Sequence, residues 1–159
     1  MEDEALSTVV DFLNTLDVED QTDVLTDLDR WRGWVGSRLG LDGDLETRRS
    51  RDEARALRDQ LRDLASGSTP EAAYTVPVMV AVGPADEIRL AADTPVGRVA
   101  AAVARLSIER RWSRVKICPA DDCRVAFYDE SRNHSRQWCS MKVCGNRAKA
   151  RTHRERSTG

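Results

Sequence analysis

Four cysteines limit this chain more than any other feature. Cys118, Cys123, Cys139 and Cys144 are its only cysteines, and they fall into two pairs. Four residues separate the members of each pair, and fifteen separate the pairs. Two short knuckles joined by a longer excursion can surround one tetrahedral metal ion. Each knuckle turns tightly enough to present two sulfurs, and the excursion carries the second pair to the far side of the ion. The alternative is two disulfides. The chain opens Met1-Glu2-Asp3-Glu4, without the basic stretch that begins a secretory leader, so a cytoplasmic location with reduced thiols is expected. Four thiolates complete the coordination of one Zn²⁺. The expected site is therefore structural, with neither His134 nor His153 needed as a ligand.

Charge divides the chain at about the same place. The 159 residues carry a net charge of −2. Residues 1–112 hold 14 Arg against 22 Asp and Glu, a net of −8; residues 113–159 hold 11 basic against 5 acidic residues, a net of +6. A basic end on an acidic body suggests a polyanion-binding module beside a regulatory or assembly domain. Only three of the basic residues are lysine, a bias that a GC-rich genome gives by codon usage, so arginine abundance alone says little about phosphate recognition.

The N-terminal part reads as helices. Leu6, Val9, Val10 and Leu13 share one face over residues 4–16, with Asn14 and Thr15 closing that helix. Asp20 or Thr22 can cap a second helix carrying Val24, Leu28, Trp31 and Val35, which Gly40 stops. A third helix over 45–66 has a narrow seam of Ala54, Leu57, Leu61 and Leu64. Its remaining face, including Arg51, Arg55, Arg58, Asp59 and Arg62, reads as solvated and laced with pairs such as Arg55–Asp59. Val76 to Val82 and Ile88 to Ala92 predict a β-hairpin. Thr94-Pro95 starts a fourth helix with Val96, Val99, Val103 and Leu106 inward. No Gly/Ser linker separates it from Cys118, so the cysteine module is expected to pack on the helices. The fold class is α+β: a helical domain over 1–112 with a hairpin near 74–92, then a treble-clef-like four-cysteine finger over 113–159.

Around the second knuckle stand Trp138-Cys139-Ser140-Met141 and Cys144-Gly145-Asn146-Arg147, with Phe127-Tyr128-Asp129-Glu130-Ser131-Arg132-Asn133 upstream. This resembles the CGNR zinc-finger family. Asp11-Phe12-Leu13-Asn14-Thr15, followed by a leucine- and tryptophan-rich helix ending at Gly40-Leu41, is similar to the ABATE-like domain that accompanies this finger. The pairing implies a stress-induced transcription regulator.

A helix is expected from about Met141 to Arg154, with Cys144 in its first turn, where free N–H groups favour thiolate. Gly145 is expected to let the backbone pass close to the metal. Asn146 and Arg147 either brace the site or contact nucleic acid. The candidate DNA contacts are Arg132, Arg136, Lys142, Arg147, Lys149, Arg151, Arg154 and Arg156. Trp138, Phe127 and Tyr128 either stack on bases or cover a small zinc core. No HExxH, GxSxG or phosphate loop is present, and no enzyme is expected. Duplex DNA is the expected partner, with a small-molecule effector or protein partner at the helical domain and no membrane. The alternatives are a zinc-stabilised protein- or RNA-interaction adaptor and a thiol-based redox sensor.

Overall fold

The structure, a computed structural model, describes residues 3–41, 48–84 and 87–157. Helix α1 (Glu4–Leu13) begins where the Asp3 carboxylate accepts from the Ala5 and Leu6 amides. It buries Ala5, Thr8, Val9, Phe12 and Leu13. The expected second helix is shorter than its apolar spacing suggested. Leu16–Asp17 (β1) and Thr22–Asp23 (β2) form a short hairpin of two-residue strands instead, and Val24–Thr26 make one 3₁₀ turn. Helix α2 (Leu28–Leu39) then starts at Asp27, whose carboxylate accepts from the Arg30 amide, so neither Asp20 nor Thr22 is the cap. Gly40 ends α2 in the left-handed conformation at φ 59°, where a glycine has no Cβ to strain.

Helix α3 (Arg48–Ala65) buries Ala54, Leu57 and Leu61, but Leu64 is 42% exposed. The start expected at residue 45 lies outside the described residues. Strands β3 (Met79–Val82) and β4 (Ile88–Ala91) pair antiparallel, with Val82 opposite Ile88. Helix α4 (Pro95–Ile108) is capped by Thr94, whose hydroxyl accepts from the Gly97 amide. Strands β5 (Val115–Ile117) and β6 (Ala126–Tyr128) form a third hairpin. Met141–Gly145 wind as one π-helical turn, and α5 (Asn146–Ser157) follows. Among the described residues, no helix is long and apolar enough to cross a membrane.

One apolar core joins α1, α2, α3 and α4, with Phe12, Trp31 and Trp34 packed as an aromatic cluster inside it. Val115, Ile117 and Ala126 of the third hairpin belong to this same core. The hydrophobic interior thus crosses the division expected at residue 112.

The supposedly solvated face of α3 is partly internal. Arg51, Arg55, Arg58 and Arg62 recur at i, i+4, i+7 and i+11, which stacks them in one row. Arg51 donates to the Thr26 carbonyl and Arg55 to the Leu25 carbonyl. Arg58, 2% exposed, grips both oxygens of Asp23 at 2.6 and 3.0 Å. Its Nε also reaches Asp59, so the expected Arg55–Asp59 pair is replaced by Arg58–Asp59. Arg62 donates at 2.7 Å both to Leu13, the last residue of α1, and to Arg124 in the first cysteine loop.

Candidate metal centre

The first knuckle is the connection between β5 and β6. Cys118 follows β5 directly, and its amide donates to the Val125 carbonyl at 2.8 Å, which continues the strand ladder. Cys123 closes the turn through its amide on Ala120. The hairpin therefore carries the first knuckle at its tip. Beyond β6 the chain makes a loop over 129–138 that brings the second pair back. Cys139 precedes the π turn and Cys144 lies within it, and Ser140 caps the turn by accepting from the Val143 amide. Cys144 thus sits in this wider turn, and α5 begins two residues later.

All four sulfurs lie within 4.8 Å of one another. Cys123 and Cys139 stand 3.5 Å apart, and Cys139 and Cys144 3.7 Å. Tetrahedral zinc–thiolate bonds of about 2.3 Å require sulfur separations of roughly 3.8 Å, so the donor set fits one zinc ion. Each of the four is a free cysteine, three buried and Cys139 half-buried. Burial opposes ionisation of Cys118, but the Cys139 and Ala120 amides outweigh it and hold that thiol below its ordinary value. Burial and the Cys123 and Cys118 sulfurs push Cys144 up to about 11 against the opposing Cys139 contact, and burial and the other three sulfurs push Cys139 higher still. Four adjacent thiols resist becoming four thiolates unless a cation sits among them. The chain holds one structural zinc here.

The aromatic residues divide by strand alternation. Phe127 packs on the sulfurs with Val125 and Trp138, while Tyr128 points the other way, onto the helical core. Arg111 and Arg114 lie over the Tyr128 ring at 5.5 and 5.9 Å.

Sequence reasoning missed the centre of the 129–138 loop. Asp129 is fully buried and accepts from the Lys116 ammonium at 2.6 Å, from the Ser131 amide and hydroxyl, and from the Arg136 amide. Burial opposes its charge, yet the Lys116 ammonium and the Ser131 donors hold the carboxyl well below the usual range. Lys116 also donates to the carbonyls of His134 and Arg136, binding the loop to β5. The one available signal was the Asp129–Ser131 spacing, which suits a side chain that accepts from a backbone amide two residues on.

Asn14 has a role beyond ending α1. Its amide donates to the Ala126 carbonyl at 3.0 Å and accepts from the Ala126 amide at 2.8 Å. It thereby satisfies both backbone groups that Ala126 presents away from β5.

All eight candidate DNA contacts are exposed, but they are not equivalent. Arg136 donates to the Trp138 and Cys139 carbonyls and lies 5.0 Å over the Phe127 ring. Arg147 reaches Asp122 at 3.4 Å and Glu19 at 3.9 Å, so it spans the finger and the β1–β2 turn. Asn146 donates to the Lys142 carbonyl. Gly145 is also closely packed. A Cβ there would lie 2.5 Å from the Met141 sulfur, so the close neighbour is Met141. Lys142 precedes α5. Lys149, Arg151, Arg154 and Arg156 project from it, and Ala148 is its one half-buried side chain among the described residues.

Two family models match this chain. The model described as CGNR zinc finger matches residues 114–157. The model described as Putative stress-induced transcription regulator (ABATE) matches residues 6–122. The two matches share 114–122, a segment that includes β5 and Cys118. Among curated proteins there is no significant match.

Proposed function

Because this chain belongs to the ABATE family, described as Putative stress-induced transcription regulator, and carries a CGNR zinc finger, we propose that it is a zinc-containing DNA-binding regulator. The observation that carries this reading is α5. The helix is cationic on several faces and exposed at every described side chain but Ala148, and it is anchored at its N-terminus on the zinc-bound turn. Duplex DNA presents a dense line of phosphates, and lysine and arginine side chains able to move toward it supply most of the binding free energy. Lys142, Lys149, Arg151, Arg154 and Arg156, with Arg132 on the neighbouring loop, form the contact surface. Arg136 and Arg147 contribute by holding that surface in place. Zinc fixes the base of the helix and takes no part in chemistry, so the protein acts by binding.

Salt dependence tests this. The logarithm of duplex affinity should fall against the logarithm of salt concentration with a slope of about −0.9 per phosphate neutralised, and about four to six contacts are expected from this surface. Replacing Lys149, Arg151 and Arg154 together should flatten the slope while zinc content stays at one per chain. A slope near zero, or a triple variant that binds like the parent, would leave the protein-interaction adaptor as the better reading.

A further inference from the structure

A cleft of about 820 Å³ lies between α1, β4 and α4, on the helical part of the molecule. That volume suits a small organic ligand. Helix α4 runs along it, so Arg98 in the first turn marks one end and Ile108 in the last turn marks the other. At the first end, Arg98 donates to the carbonyls of Leu39 and Ala92, which ties α2 to the β4–α4 junction. Arg38 lines the same end, with its side chain 52% exposed and one nitrogen on Asp11 at 3.0 Å. A guanidinium has five N–H donors, and these contacts leave several on each arginine for an arriving anion.

At the opposite end two apolar side chains stand beside the Arg105–Glu109 ion pair. Ile88 and Ile108 both line the cleft and are 70% and 75% exposed. Two large side chains left in water on the lips of one cleft are the kind of apolar surface that marks a binding site. Between the ends, Leu90, Ala101 and Ala102 supply a further apolar lining.

We infer that this cleft binds an amphipathic monocarboxylic acid, with its carboxylate on Arg38 and Arg98 and its apolar body against Ile88 and Ile108. The charge of the lining favours a monoanion over a phosphate dianion. Arg38, Arg89, Arg98 and Arg105 are set against Glu4, Asp93 and Glu109, an excess of one positive charge. Glu109 is already held by Arg105 at 2.9 Å and by Arg111 at 3.1 Å.

The cleft is also joined to the finger. Helix α1 lines it through Ala5 and Thr8 and at its far end holds β6 through Asn14. Arg111 connects Glu109 and Asp3 to the Tyr128 hydroxyl. A ligand that binds only the folded protein stabilises every element it orders, so occupancy should also slow loss of zinc to a chelator. The inference extends the regulator reading without depending on it, and its test uses no DNA.

Titration calorimetry of the zinc-loaded full chain with decanoate, kept below its micelle concentration, tests the assignment. Saturable one-to-one binding is expected, with decyltrimethylammonium weaker by about tenfold or more because it presents the wrong charge to two guanidiniums. Arg38→Gln should weaken decanoate by about tenfold, the size of one charge-assisted hydrogen bond. Ile108→Ser should weaken decanoate and decanol alike. Both variants alter exposed side chains, so circular dichroism should be unchanged. Equal binding of the anion and the cation, or decanoate affinity indifferent to Arg38→Gln, would overturn the assignment. So would absence of decanoate binding together with a dimer that Ile88→Ser dissociates, which would make the lips a self-association surface.

Discussion

Single residues matter most where an ion is buried beside its partner. Arg58 is nearly inaccessible and engages both oxygens of Asp23. Asp23→Asn would leave that guanidinium short of its counter-charge, and the expected loss is about 3 kcal/mol of unfolding free energy at neutral pH, measured by urea denaturation. The pH dependence has a definite sign. Burial raises the Asp23 carboxyl, but the Arg58 guanidinium and the Leu25 amide outweigh it and hold the folded-state value below the ordinary one. A depressed carboxyl stabilises fully above its unfolded value of about 3.9, and that stabilisation disappears as pH falls through the lower folded value. The parent should therefore lose stability more steeply below about pH 4 than Asp23→Asn does. Acid also protonates the thiolates, but equally in both proteins, so the difference between them isolates Asp23. At this scale the sequence is an uneven guide. The cysteines declare themselves, because few arrangements other than a metal site or disulfides use such spacing. Asn14, Arg62 and Asp129 do not, because each acts on a backbone group remote in sequence or on a loop whose path is set by tertiary contacts. Arg51, Arg55, Arg58 and Arg62 carried a usable signal in their helical spacing. A charged row at that spacing reads as a solvent face unless the backbone carbonyls opposite it are known.

Among the elements, α4 and the π turn each contain a close-packed glycine, with different neighbours. A Cβ on Gly97 would lie 2.6 Å from the Ala92 Cβ and 2.9 Å from the Thr94 hydroxyl, both fixed by the cap that starts α4. At Gly145 the obstacle is the Met141 side chain, which is 49% exposed and free to swing aside. Gly97→Ala should cost about 1–3 kcal/mol through overpacking, and Gly145→Ala clearly less, when the two are compared by thermal melting. Helices α1 to α4 and the β3–β4 hairpin were legible from their apolar spacing, helped by the Thr94 cap and the Gly40 stop, although the cap of α2 lies at Asp27, beyond the residues that spacing suggested. The β1–β2 hairpin was not. Each of its strands is two residues long, too short for any periodic signal, and it forms because Asp23 has Arg58 to meet. The path between the knuckles was also obscure. The third hairpin is fixed by Val115, Ile117 and Ala126 entering the core of another segment, and cysteine spacing carries no record of that.

The whole molecule behaves as one unit if its core is continuous, and the third hairpin makes it so. Chelating zinc should lower the melting temperature of the helices as well as the finger, as a single transition followed by circular dichroism and by tryptophan emission. Two separated transitions would mean that the helical part folds independently of the metal. The same arrangement bears on solubility. A two-stranded ribbon has open edges that invite pairing with another chain. The Asn14 amide occupies the β6 edge at Ala126 and closes it to such pairing. Strands β3 and β4 display Val80, Val82 and Ile88, each more than 60% exposed. Concentrated stocks should therefore begin to precipitate from the β3–β4 ribbon. Lysine at Val82, placed in the middle of that surface, should lengthen shelf life more than any charge added to the finger.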